Sequence, residues 1–168
     1  TGKTLAFLLP IIGELDENLE EVQALIITPT RELTIQIEQV IREMGTGYKV
    51  DATYGGRSFS SDKMNLQHRP AIVVGTPGRV AAHLRRETYS PAYIKFLVLD
   101  EFDKSLEIGF DDEMTQIMEL IPSLDKKILT SATKGVEIPD FVELEKPVFI
   151  KFLDQGVPKL TVKSVLSP

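Results

Sequence analysis

The chain has no cysteine. That excludes a disulfide framework and a thiolate metal site, and it fits a reducing cytoplasm. No apolar run reaches the length of a membrane span, and no signal-peptide pattern opens the sequence. Internal repeats and low-complexity segments are missing as well. Positive charge is in short supply, with 19 Lys and Arg against 25 Asp and Glu and a formal net charge of −6. A protein held to nucleic acid by bulk electrostatics would show the opposite balance. Any nucleic-acid contact must be local, made by a few basic side chains and helix ends on one face. Arg31, Arg57, Arg79, Arg85 and Arg86 are candidates, although each taken alone reads as an ordinary solvated charge. What remains is a chain of 168 residues, 42% hydrophobic and 26% charged. That is enough for one globular domain with a sizeable core.

Strand-like and helix-like runs alternate, in the order of a mostly parallel sheet covered by helices. Lys3 to Leu15 reads as a helix with Pro10 as a kink. Val22 to Thr28 reads as a strand. Leu33, Ile37, Val40, Ile41 and Met44 fall on one face of a helix that Gly45 and Gly47 end. Val50 to Tyr54 is a short strand, and Ser58 to Gln67 a short helix. Ala71 to Gly75 is a buried strand. Thr76 then suits an N-cap and Pro77 the first helical position, for a helix to about Arg86. Phe96 to Leu99 is a further buried strand. Phe110, Met114, Ile117, Met118 and Ile121 mark another amphipathic helix, with Asp111 and Asp112 suited to its N-terminal dipole. Lys127 to Thr130 and Pro147 to Phe152 read as the last two strands. Beyond them, Leu160 to Val165 alternates like a strand with no evident partner.

Asp100-Glu101-Phe102-Asp103 is the most informative stretch. Two adjacent carboxylates at the tip of a buried strand are costly unless they face solvent, a partner or a cation. In nucleotide hydrolysis one such carboxylate holds magnesium and its neighbour orients the attacking water. Capping of the next helix is the simpler explanation for either residue, and a weaker one for both. Thr1-Gly2-Lys3-Thr4 supplies the complementary half, as the tail of the phosphate-binding pattern Gly-x-x-x-x-Gly-Lys-Ser/Thr. A helix starts there at once, aiming free amides and its dipole at a bound phosphate. Lys3 would meet the β- and γ-phosphates, and the Thr4 hydroxyl would ligate magnesium. Alone the triplet is common, and a capped helix with a surface lysine explains it.

Pro29-Thr30-Arg31-Glu32-Leu33 and Thr76-Pro77-Gly78-Arg79 share one form: strand end, turn, helix start, nearby arginine. Such a helix end with an arginine is a ready phosphate contact. Ordinary capping with solvated arginines is the alternative. Gly55-Gly56 is either a plain turn or a place where backbone amides approach a ligand. Ser131-Ala132-Thr133 is a common strand-to-loop sequence. The order of the whole series is what chance does not supply, and each motif sits at a strand end, where open α/β sheets bind ligands.

In that order the motifs resemble the first RecA-like domain of the DEAD-box RNA helicases, over Thr1 to about Phe152. Val98-Leu99-Asp100-Glu101-Phe102-Asp103-Lys104 with Gly109-Phe110 is similar to the family's acidic motif and its sequel. The resemblance implies an α/β, three-layer RecA-like P-loop NTPase domain, with a mostly parallel sheet and helices on both faces. It implies ATP and Mg2+ as cofactors. Thr1, Gly2, Lys3 and Thr4 would bind ATP, with Thr4 and Asp100 on the metal. Lys3, Asp100 and Glu101 would be catalytic, Glu101 as general base. Asp103, Ser131 and Thr133 would couple hydrolysis to domain closure. Pro29, Thr30, Arg31, Gly55, Gly56, Thr76, Pro77, Gly78 and Arg79 would track the sugar-phosphate backbone of RNA.

The same resemblance implies a helicase domain over residues 1–153, with 154–168 leading to a second RecA-like domain of the same parent. A start at Thr-Gly-Lys-Thr implies missing upstream residues that complete the phosphate loop. These residues alone are therefore expected to be inactive. The parent is expected to be a cytoplasmic monomer without membrane association. Phe102 stands where the family usually has alanine, and a ring needs room there. Two alternatives remain: a related DNA helicase, and a non-catalytic module that clamps RNA or docks a partner.

Overall fold

The computed structural model describes residues 2–122, 124–133, 135–144 and 146–150. Five strands form one sheet: β1 (Ala24–Ile27), β2 (Val50–Thr53), β3 (Ile72–Gly75), β4 (Phe96–Leu99) and β5 (Lys126–Leu129). Their order is β2-β3-β1-β4-β5, and every pair is parallel. Strands β1 to β4 are buried along their whole length. This is why three of them, ALII, IVVG and FLVL, are continuous apolar runs rather than alternating ones. Among the described residues six α-helices cover the sheet: α1 (Gly2–Ile12), α2 (Arg31–Glu43), α3 (Phe59–Leu66), α4 (Pro77–Arg85), α5 (Phe102–Ile108) and α6 (Asp111–Leu120).

Side chains alternate across the sheet, so each strand feeds two cores. Ala24, Ile26, Ile72, Val74 and Val98 pack with Phe7, Leu8 and Ile11 of α1 and Ile37 and Ile41 of α2. Leu25, Ile27, Val73, Leu97 and Leu99 pack on the other face with Leu66 of α3, Val80, Ala81 and Leu84 of α4, and Ile117 of α6. The expected three-layer α/β architecture is the observed one.

Register positions the site. Ile27 lies opposite both Gly75 and Leu99, Thr53 opposite Gly75, and Leu99 opposite Leu129. All five strands thus end at one level. The residues that follow them line a single carboxyl edge: Thr28 to Arg31, Tyr54 to Arg57, Thr76 to Arg79, Asp100 to Asp103, and Thr130 to Thr133. Gly75 keeps this edge closed, because a Cβ there would sit 2.5 Å from the Thr53 Oγ1 and 2.6 Å from the Val80 Cγ2.

The structure departs from the sequence reading in several places. The first helix stops at Ile12 rather than Leu15. Helix α5 was not expected; its short sequence FDKSLEI interleaves charge with apolar residues and begins straight after the acidic pair. Thr76 occupies the N-cap position of α4 with Pro77 at the first helical position, but its side chain makes no capping bond. Pro147 to Ile150 is not a strand. Its apolar residues Val148, Phe149 and Ile150 are 87, 67 and 75% exposed. An apolar run becomes a strand only by pairing, and among the described residues no strand lies on the outer side of β5. Lys151 and Phe152 of that expected strand, and the tail from 154 onward, lie outside the described residues.

Candidate functional site

At one end of the carboxyl edge stands the acidic pair. Asp100 follows β4 and is buried, at 5% exposure. Burial pushes its carboxyl above the ordinary range; the Thr130 hydroxyl bond pulls it back, the Glu101 charge raises it again, and the Lys3 ammonium opposes that. Lys3 lies in the first turn of α1, so the start of that helix and Asp100 share one electrostatic site. Glu101 adopts the left-handed conformation, φ 49° and ψ 50°. A residue with a Cβ rarely does so, and such residues gather at functional sites. The side chain of Glu101 is about one-third exposed, at 35%, with Lys104 Nζ 3.9 Å away. It can meet water, while Asp100 is withdrawn from it.

Capping does not account for the pair. Glu101 occupies the N-cap position of α5, yet its side chain forms no cap bond. The Asp100 carboxylate instead accepts from the Thr130 Oγ1. One turn on, the Thr133 hydroxyl donates to Asp103 Oδ2 at 2.8 Å. Burial raises the Asp103 carboxyl, but bonds from Thr133 and Ser131 and from the backbone N–H groups of Lys104 and Thr133 outweigh it and hold the group low.

The other end of the edge is built on arginine and aromatic rings. The Thr30 side chain caps α2, accepting from the Leu33 N–H at 3.3 Å. Arg31 then lies over the Tyr54 ring, 5.0 Å from its centre, and Arg57 over the same ring at 5.4 Å. Gly56 has φ 90°, and a Cβ there would come within 3.8 Å of Arg31 Nη1. Arg79 is held, not solvated: its Nε donates to Asp62 Oδ2 at 2.7 Å, and its Nη2 to the Arg57 carbonyl at 3.0 Å. Asp62 is fully buried and also faces Arg57 Nε at 3.6 Å and His83 Nε2 at 3.3 Å. Burial lowers the His83 pKa against the pull of Asp62, which favours the neutral ring. Phe59 stacks on His83 at 4.3 Å and lies beneath Arg79 and Arg86, at 5.1 and 4.1 Å. Arg85 turns elsewhere, to Gln116 of α6.

A sequence profile described as DEAD/DEAH box helicase matches residues 1–141. The chain belongs to the DEAD/DEAH box helicase family. It is 43% identical over 135 residues to the ATP-dependent RNA helicase CshA of Listeria monocytogenes, covering 79% of this chain and 26% of that one. It is 44% identical over 154 residues to eukaryotic initiation factor 4A of Zea mays, covering 89% of this chain and 38% of that one. The chain therefore spans about a quarter to two-fifths of the length of these curated relatives. Among solved structures, a DEAD box protein from the hyperthermophile Methanococcus jannaschii superposes with a TM-score of 0.74 at 35% identity, over 84% of this chain and 38% of that one. The fold is that of the family's N-terminal RecA-like domain.

Within this DEAD-box domain the motif residues gather at one edge, in two groups. Gly2, Lys3, Thr4, Asp100, Glu101, Asp103, Ser131 and Thr133 belong to the acidic end. Pro29, Thr30, Arg31, Gly55, Gly56, Thr76, Pro77, Gly78 and Arg79 belong to the arginine end. Thr1 lies outside the described residues. Phe102 finds its room in the core, where it is buried beneath the α4 and α6 side of the sheet. Two residues escaped the sequence reading. Asp62, which organises Arg57 and Arg79, stands in a run of small polar residues on α3. Thr130 adjoins Ser131-Ala132-Thr133, and its signal was the register: Leu99 opposite Leu129 makes Asp100 and Thr130 neighbours.

Proposed function

We propose that this chain is the ATP- and RNA-binding domain of an ATP-dependent RNA helicase, coupling ATP hydrolysis to duplex unwinding or ribonucleoprotein remodelling. The observation that carries the reading is the buried Asp100 beside the water-accessible Glu101, with the Lys3 ammonium acting on Asp100 from the start of α1. Gly2, Lys3 and Thr4, together with Thr1, would hold the ATP phosphates on the amides and dipole of α1. The Thr4 hydroxyl and the Asp100 carboxylate are hard oxygen donors that fit Mg2+, which takes one or two carboxylates plus substrate phosphates. No cluster of three or more acidic or imidazole ligands exists among the described residues, so the phosphates would complete the shell. Bound there, Mg2+ would neutralise charge on the phosphates. Lys3 would stabilise the charge of the transferring group. Glu101 would accept the proton of the attacking water. Asp103, Ser131 and Thr133 would pass closure of a second RecA-like domain to this site.

Pro29 to Arg31, Gly55-Gly56 and Thr76 to Arg79 would follow the RNA backbone, a mode that carries little sequence information. The proposal assigns residues 1–153 to this domain and 154–168 to the path toward the second one. It includes a cytoplasmic, monomeric parent, checked by fractionation and light scattering. Among the described residues no helix is long and apolar enough to cross a membrane.

The test is Glu101→Gln in the full-length parent. The amide keeps the shape but cannot take a proton, so RNA-stimulated ATP turnover should fall by about 10²–10⁴-fold. ATP and RNA binding should persist, and a closed complex should be trapped on RNA. Normal turnover by the variant would move the general base elsewhere and favour a non-catalytic module. Greater stimulation by DNA than by RNA would favour the DNA helicase.

A further inference from the structure

We infer that Thr130 is a positioning residue for hydrolysis, holding both acids of the site through one hydroxyl. The inference rests on the ATPase reading above. Thr130 reaches every residue of the turn from Leu99 to Phe102. Its N–H donates to the Leu99 carbonyl at 3.0 Å, and its carbonyl accepts from the Phe102 N–H at 3.0 Å. Its Oγ1 accepts from the Glu101 N–H at 3.0 Å. The same oxygen donates to Asp100 Oδ1. A hydroxyl has one hydrogen to give. Because the Glu101 amide is itself a donor, that hydrogen goes to the carboxylate.

One atom thus fixes the rotation of Asp100 and pins the backbone of Glu101 in its left-handed conformation. A residue with a Cβ holds that conformation only where its surroundings over-determine it, and Thr130 supplies the constraint. Thr130 also directly precedes Ser131-Ala132-Thr133, whose Thr133 grips Asp103. The loop that follows β5 therefore holds all four residues of the acidic segment, Asp100 to Asp103, and a shift of this loop moves both acids. An apolar residue of the same size would fill the space but leave the Glu101 amide and Asp100 Oδ1 without this partner.

The experiment compares Thr130→Val and Thr130→Ser in the full-length parent. Thr130→Val should lower the kcat for RNA-stimulated ATP hydrolysis by about 10- to 100-fold, as loss of a residue that orients a ligand does. The affinity for a fluorescent ATP analogue, measured by titration, should change by less than about threefold, because the loss falls on the transition state. Thr130→Ser should return kcat to near wild type. Hydrogen exchange at the Glu101 amide should accelerate in Thr130→Val and not in Thr130→Ser. If Thr130→Val fails to fold, Thr130→Ala carries the same comparison, since the position is partly exposed. Wild-type turnover in the hydroxyl-free variant, or Thr130→Ser as slow as Thr130→Val, would overturn the positioning role. A wild-type parent without any turnover would instead overturn the ATPase reading, and the amide exchange would still decide whether the hydroxyl holds the turn.

Discussion

Asp62 and Asp100 are both buried carboxylates on the same edge of the sheet, and they are treated in opposite ways. Asp62 faces two guanidinium groups and an imidazole. Asp100 receives one hydroxyl, has a second carboxylate beside it, and feels Lys3 through space. Taking a charge out of water is costly unless partners replace the lost solvation. At Asp62 the protein surrounds the acid with its own partners, Arg79 and His83 bonded to Oδ2 and Arg57 Nε 3.6 Å from an Oδ1 that makes no hydrogen bond, and the acid serves to hold arginines in place. At Asp100 the compensation is incomplete, and burial leaves the carboxyl raised. A carboxylate left in that condition suits a site where a cation completes the balance. The pair shows how a scaffold acid and the acid proposed for the reaction differ in their surroundings rather than in their depth.

The comparison can be broken most forcefully at Lys3. Its side chain is exposed, and it is the cation that acts on Asp100 from the helix start. Lys3→Ala in the parent should reduce RNA-stimulated ATP turnover by about 10²–10³-fold through lost transition-state charge stabilisation. The melting temperature should move by no more than about 2 °C, as for an ordinary surface substitution. Near-normal turnover would place the phosphates elsewhere.

At Asp62 the effects should be reversed, with stability hit first. Asp62→Ala leaves Arg57 and Arg79 without their buried partner, and loss of one member of such a pair costs about 3–5 kcal/mol. Denaturant unfolding measures it. Where the variant is still folded, RNA affinity should fall alike for all sequences, because the arginines lose their aim at the backbone. Unchanged RNA affinity would remove Arg79 from the RNA contact and leave Asp62 a purely structural acid.

The smallest effect, and the sharpest on charge burial, belongs to Asp51 on β2. Burial raises its carboxyl from an ordinary 3.8 to about 6, against the Ala52 amide and the Arg57 charge. The folded protein therefore holds this proton more tightly than the unfolded chain does. Stability from this group is complete below the unfolded value, falls as pH rises from about 4 to about 6, and stays lost above that. Asp51→Asn should stabilise the domain at pH 8 by roughly 1–3 kcal/mol and change little at pH 4. A stabilisation of equal size at both pH values would mean that packing, not charge, is responsible.

Much of this was legible in the sequence, for physical reasons that differ from residue to residue. Buried parallel strands announce themselves as short apolar runs, so Ala24–Ile27, Ile72–Gly75 and Phe96–Leu99 stood out. Their flanking motifs could then be assigned to strand ends before any register was known. What stayed hidden was non-local. Asp62 meets Arg79 across 17 positions and His83 across 21, and Thr130 meets Asp100 across 30. Only the strand register and the packing of the helices on the sheet bring such residues together. Helix α5 escaped because its seven residues are too few to display a period. The run from Pro147 failed in the opposite direction, since apolar composition makes a strand only where the run pairs, and Pro147 to Ile150 pairs with no strand among the described residues.

The level ends of the strands make the sheet a ruler. Adjacent strands lie about 4.8 Å apart, so β3, which launches Thr76 to Arg79, and β4, which carries Asp100, are two divisions or about 10 Å apart across β1. Strands β2 and β5, the outermost, are four divisions or about 19 Å apart. Those spacings belong to the backbone, and no side-chain substitution alters them. A single-residue insertion within β1 would exchange the side chains that face its two cores and push Pro29 to Leu33 off the mark by one residue, about 3.3 Å. Tolerance for length change is thereby restricted to the loops at the opposite, amino edge, where a longer connection leaves the graduations where they were.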